Sequence, residues 1–164
     1  MVLNPEKSMV ERVTEANAMG VHLYVPIHTN AHNGNVIGTR IFVCSTSGNA
    51  YKAATAIYNV LAPITLGQSE NISVNTKLYE LIKTAAPAVY IEAEFHDNPE
   101  AAKWIVENTE AIGEAIAEGI CAHYNVVYQR KLYHVQVGAY ANIDNAKRML
   151  ATLKSAGFDA FIAQ

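Results

Sequence analysis

Two short runs in this chain hold residue types able to do chemistry together. Ile27-His28-Thr29-Asn30-Ala31 closes one apolar stretch, and Ile91-Glu92-Ala93-Glu94-Phe95-His96-Asp97-Asn98 closes another. In an α/β sheet the carboxyl ends of strands are where reacting groups gather. An imidazole at such a place can bind zinc, and a carboxylate withdrawn from water can act as general base toward a water molecule. Val89, Tyr90 and Ile91 are apolar, so Glu92 is expected beside the core, where desolvation raises its pKa. Glu94 would share that side if the strand continues, and its charge would add to the rise. Plainer readings stay open: Glu92 paired with a Lys or Arg or capping a loop, and His28 as a packed histidine. Asn30 has the reach to pin the loop after His28 through side-chain hydrogen bonds. His96 and Asp97 precede a helix start and read as loop packing, while His22 and His32 read as packed or exposed histidines.

The elements that must position these residues follow from patterning. Ser8 followed by Glu11 fits a capping box, Val10, Val13 and Asn17 mark one helix face, and Gly20 supplies a stop. Val21 to Ile27 is expected as the first strand, with a polar loop from His28 to Gly38 and a second strand from Thr39 to Cys44. A helix from about Ala50 to Leu61 is closed by Pro63, Gly67 to Asn75 reads as loop, and a short helix lies near Leu78 to Lys83. Ala88 to Ile91 is the third strand. Asn98 as N-cap with Pro99 at the first helical position opens two helices, broken near Asn108 and ending about Tyr124 at His123. Strands alternating with helices predict an α/β fold, a mostly parallel sheet with helices on both faces.

After a connection over Asn125 to Arg130 the pattern changes. Lys131 to Tyr140 alternates, a helix is expected from about Asn142 to Ala156 with Gly157 after it, and Phe158 to Ala163 reads as a strand. A β-α-β piece this short is too small to bury a core unaided. Length and a hydrophobic share of 51% fit one globular domain plus a small appendage. A net charge of −3 and no Lys/Arg cluster leave no electrostatic footprint for nucleic acid. Cys44 and Cys121 are too few for a disulfide framework and read as buried free thiols. No apolar stretch is long enough to span a membrane. No signal peptide follows Met1, so export would need a signal outside this chain or another route.

Residues from about Asn4 to Tyr128 resemble the zinc-dependent N-acetylmuramoyl-L-alanine amidases of the amidase-3 type, found in bacterial autolysins and phage endolysins. The matching pieces are Glu11-Arg12-Val13 with Ala16-Asn17, Leu23 through Ala31, Gly38-Thr39-Arg40-Ile41-Phe42-Val43, and Val89 through Asn98. The resemblance implies a peptidoglycan hydrolase that cleaves the amide between N-acetylmuramic acid and L-alanine with zinc. It implies His28 as one zinc ligand, Glu92 as the catalytic glutamate, and Asn30 as a side chain orienting the His28 ring. Glu94 stands where the family motif has Gly. Two of the three family ligands would precede residue 1, so the chain is expected to be a fragment. The alternative is a non-catalytic cell-wall-binding protein on an amidase-like scaffold that has lost its zinc site.

The tail from Tyr133 to Gln164 resembles part of a sporulation-related repeat (SPOR domain), through Val135-Gln136-Val137-Gly138-Ala139-Tyr140, Asn145-Ala146, Leu153-Lys154 and Gly157-Phe158. That implies peptidoglycan binding, with Gln136 and Tyr140 as candidate glycan contacts. The expected division is 1–128 for the amidase-like domain and 129–164 for the repeat. The expected location is extracellular or in the cell wall.

Overall fold

A computed structural model describes residues 2–129 and 135–163. The chain divides into two compact units, Met1–Gln129 and Arg130–Gln164.

In the first unit, helix α1 (Met9–Met19) starts at Ser8, whose side chain accepts from Glu11 N while the Glu11 carboxylate accepts from Ser8 N. It stops at Gly20, which takes φ 60, a conformation that costs Gly little. Strand β1 (Ile27–Asn30) follows, then β2 (Arg40–Val43), helix α2 (Gly48–Leu61) and a single 3-10 turn over Ala62–Ile64. Strand β3 (Asn71–Val74), the short helix α3 (Tyr79–Ile82) and strand β4 (Tyr90–Phe95) complete the sheet region. Helices α4 (Pro99–Glu107) and α5 (Thr109–His123) close the unit, α4 capped by Asn98, whose side chain accepts from Glu100 N and Ala101 N.

The sheet order is β1-β4-β2-β3. The β1–β4 and β2–β3 pairs are parallel, and the β2–β4 pair in the middle is antiparallel. One face carries Ile41, Val43, Ile91 and Ala93 and packs against Ala53, Ala54, Ile57 and Leu61 of α2 and Ile112, Ala115 and Ile116 of α5. The other face, with Phe42 and Tyr90, packs against Val13 and Ala16 of α1 and Leu81 of α3. Helices thus cover both faces of the sheet, as the alternating pattern predicts.

Four expectations about the strands and thiols of the first unit are corrected. The first strand begins at Ile27 rather than Val21; upstream only an isolated parallel bridge joins Tyr24 to Ala88, since Pro26 has no N–H to donate. The third expected strand runs on to Phe95, so Glu92 lies inside β4 and not at its end. Asn71–Val74, expected as loop, is an edge strand paired residue for residue with β2. The thiols are not both buried: Cys44 is exposed just past β2 and Cys121 half-buried, both free.

In the second unit, helix α6 (Ile143–Ser155) is capped by Asn142, whose side chain accepts from Asp144 N at 2.7 Å. The expected strand over 131–140 lies partly outside the described residues, and 135–140 form no strand; nor do 158–163. None of the α6 residues is buried, and Val135, Val137, Phe158 and Phe161 are exposed. A strand needs a partner for its backbone groups and a core for its apolar face, and the described residues of this unit supply neither.

Candidate active site

Parallel pairing of β1 with β4 makes His28 and Glu92 register partners, and antiparallel pairing on the other side makes Arg40 and Glu92 partners. Residues directly opposite on neighbouring strands share a face. His28, Glu92 and Arg40 therefore form a row across three strands. The next row, Tyr90 with Phe42, lies on the same face. The His28 ring stacks on Tyr90 with centroids 4.4 Å apart and planes 7° from parallel.

Burial pushes the Glu92 carboxyl above its ordinary value, while the nearby imidazoles of His28 and His96 pull it partly back. Its Oε2 is buried and has no hydrogen-bond partner. Arg40 stands beside it in register, yet among the described residues no salt bridge joins them; the guanidinium lies over the Phe95 ring, 5.4 Å from its centroid. Glu92 is thus a half-buried carboxylate with a free oxygen, not one half of an ion pair.

Glu94 does not share that face. Between His28 and Asn30 the register with β4 advances from Glu92 to Phe95, so β4 has one extra residue there, a β-bulge. Glu94 takes φ 70 within it. The irregularity breaks the two-residue alternation, and the Glu94 side chain is fully buried elsewhere: Gly38 N donates to Oε2 at 2.6 Å and Leu66 N donates to Oε1 at 2.7 Å. The expected second carboxylate beside Glu92 is a loop anchor.

The side chain that meets His28 is Glu80 of α3, which sequence reasoning missed. His28 Nε2 lies 3.0 Å from Glu80 Oε2, and the Tyr24 hydroxyl donates to Oε1 at 2.8 Å. The Arg12 guanidinium faces the same Oε1 at 3.9 Å. Burial and the Glu80 carboxylate push the Tyr24 hydroxyl up to about 12, so it remains a donor. Glu80 is only 1% exposed. One acidic residue amid Leu78, Tyr79, Leu81 and Ile82 was the available signal, because an unpaired carboxylate is seldom buried.

Asn30 turns to its own loop, its side-chain oxygen accepting from Ala31 N at 2.9 Å. His96 Nδ1 meets Thr29 Oγ1 at 2.9 Å, and the Asp97 carboxylate accepts from His32 N and Gly34 N, which holds its pKa below the ordinary value. Asn98 adds a bond from its side-chain amide to Gly34 O. These contacts fasten the 31–34 loop to the end of β4. His22 and His123 lie elsewhere, in a groove of about 510 Å³ lined also by Asn17, Asn49 and Tyr124.

Comparison with known proteins decides the family. Residues 3–122 match the family model described as N-acetylmuramoyl-L-alanine amidase. The chain belongs to that amidase family. Residues 129–164 match the SPOR domain. The chain is 26% identical over 164 residues to the N-acetylmuramoyl-L-alanine amidase CwlM of Bacillus licheniformis, covering 94% of this chain and 62% of that one. It is 29% identical over 137 residues to an uncharacterized 38.4 kDa protein of Clostridium perfringens, covering 81% of this chain and 40% of the relative. It therefore spans less than two thirds of either curated relative. Among solved structures, the catalytic domain of the CD27L endolysin targeting Clostridia Difficile superposes with a TM-score of 0.63 at 26% identity, covering 78% of this chain and 72% of the other. The catalytic domain of CwlV from Bacillus (Paenibacillus) polymyxa shares the fold with a TM-score of 0.64 at 21% identity, covering 74% of this chain and 68% of the other.

Zinc ordinarily takes three or four protein ligands. Among the described residues no group of three His, Cys, Asp or Glu side chains converges closely enough to hold a metal ion. The donor set of the described residues does not by itself fit the zinc of this family.

Proposed function

We propose that this chain carries part of the active site of a peptidoglycan amidase, a hydrolase that breaks the amide between N-acetylmuramic acid and L-alanine. The observation that supports it most is the register pairing of His28 with Glu92 on adjacent parallel strands. It is the arrangement expected of a ligand beside a base. Burial raises the basicity of Glu92, which suits its carboxylate to take a proton from water. Glu92 takes that proton as the water oxygen attacks the lactyl carbonyl carbon. It returns the proton to the leaving nitrogen of L-alanine, which departs as a free amine. His28 is the one ligand this chain would bring to the zinc that the family uses.

The SPOR unit is the wall-binding part of the same reading, with the exposed Gln136 and Tyr140 as its glycan contacts. The substrate places the protein outside the cell or in the wall. None of the helices among the described residues is long and apolar enough to cross a membrane.

The test digests purified cell walls with the chain in the presence of zinc and identifies new amino termini. Release of peptides beginning with L-alanine, abolished by Glu92→Gln, is the expected outcome. Bound zinc below about a tenth of an equivalent, with no such release, would sink the enzymatic reading for this chain. Retention on walls without cleavage would then favour a non-catalytic wall-binding protein.

A further inference from the structure

We propose that Glu80 is the positioning residue of His28: it locks the imidazole as the Nε2–H tautomer and leaves the Nδ1 lone pair free. The proposal rests on the reading of His28 as the ligand this chain supplies, and it assigns a role to a residue outside the family motifs quoted above.

The hydrogen-bond inventory fixes the roles at Glu80. Its Oε1 receives the Tyr24 hydroxyl at 2.8 Å and faces the Arg12 guanidinium at 3.9 Å, both of them donors. A carboxylate has only acceptors to offer, so the nitrogen 3.0 Å from Oε2 must carry the proton. That nitrogen is Nε2, and the neutral ring then has its lone pair on Nδ1. No hydrogen bond to Nδ1 is formed among the described residues, and the side chain is 32% exposed while Glu80 is 1% exposed. One ring nitrogen is thus tied to a buried carboxylate, while the other has no hydrogen bond among the described residues in a partly exposed side chain. The stack on Tyr90 removes the remaining freedom, since a ring 4.4 Å from a parallel partner cannot turn about χ2 without leaving it. The β1–β4 ladder holds the backbone beneath.

A histidine kept only for packing has no need of one satisfied and one open nitrogen. A metal-binding imidazole commonly has this form, with the distal N–H given to a carboxylate that sets tautomer and orientation. The supports of Glu80 come from α1 and from the chain before β1, so the device is built from three segments brought together by the core on the Phe42–Tyr90 face of the sheet. A single register slip in β1 would point His28 away from it.

The test is nitrogen-15 NMR on the full chain labelled at histidine, recorded with the imidazole neutral. Two-bond proton–nitrogen correlations then report which ring nitrogen is protonated. The wild-type His28 is expected as Nε2–H. In Glu80→Gln the side-chain oxygen stays with Tyr24 and Arg12, which can only be answered by an acceptor. The amide NH2 is then directed at Nε2, and His28 is expected to change to the Nδ1–H tautomer. Glu80→Ala should give a mixture of the two. Tyr24→Phe removes one support but keeps the carboxylate, and the wild-type tautomer should persist.

A wild-type ring protonated on Nδ1, or an unchanged tautomer in folded Glu80→Gln, overturns the proposal. The wild-type spectrum decides alone if Glu80→Gln and Glu80→Ala do not fold. Zinc uptake and L-alanine release test the amidase reading separately, so a failure of that reading is seen in those assays and not in the tautomer.

Discussion

Glu94 offers a sharp test of how the site's surroundings are held. Its carboxylate is fully buried and spends both oxygens on the backbone N–H groups of Gly38 and Leu66, at 2.6 and 2.7 Å. Hydrogen bonds to a charged group contribute about 1.5–3 kcal/mol each, so the pair is worth roughly 3–6 kcal/mol. Against this, a non-glycine residue in the left-handed region costs about 1–2 kcal/mol, and Glu94 sits there at φ 70. Glu94→Ala removes both bonds and keeps the backbone cost. Glu94→Gly removes both bonds and also relieves that cost. The expected order of stability is wild type, then Glu94→Gly, then Glu94→Ala, with the two variants about 1 kcal/mol apart. Urea unfolding followed by the single tryptophan, Trp104, reports on the first unit, and amide hydrogen exchange at Gly38 and Leu66 should accelerate in both variants. An alanine variant within about 1 kcal/mol of wild type, or more stable than the glycine variant, would refute the anchor account.

Two glycines of α5 should respond oppositely to alanine. Gly113 has open space around it, so Gly113→Ala is expected to stabilise by about 0.5–1 kcal/mol, whereas a Cβ on Gly119 would collide with Ile57 Cα of α2 and destabilise by about 1–3 kcal/mol; thermal unfolding of both variants checks the signs. Burial raises the Glu92 carboxyl above its ordinary 4.5, so between the two values the folded chain holds a proton that the unfolded chain has lost. Stability should fall as pH rises through that window, and Glu92→Gln should flatten the slope there in urea titrations run at a series of pH values. Asn98→Ala removes the cap of α4 and the amide bond to Gly34 O, and should cost about 1–2 kcal/mol by the same unfolding assay.

Local signals were legible wherever the chemistry is local. The Ser8–Glu11 box, the Asn98-Pro99 start and the Gly20 stop each act within a few residues, and each is where the sequence pattern puts it. The helix breaks and the layering of helices on both faces were readable for the same reason. Strand limits were not. Asn71–Val74 is polar enough to pass for loop and becomes a strand only because β2 offers a parallel partner. The reverse holds for Val21 to Pro26, apolar enough for a strand but joined to its neighbour by one isolated bridge at Tyr24.

His28 and Glu92 could be singled out from residue type and position, and their pairing across two strands is a consequence of register that the fold then supplies. By itself the sequence determined the family and the alternation of strands and helices, and it singled out His28 and Glu92 as candidates, because those depend on local pattern and motif. Only the tertiary structure decided which carboxylates matter to them. Glu94 lies two residues from Glu92 yet is carried away by one extra residue in β4, whereas Glu80 lies 52 residues from His28 and touches its ring. Hydrogen bonds and burial act through space, and the bulge and the core on the Phe42–Tyr90 face set those distances independently of separation along the chain.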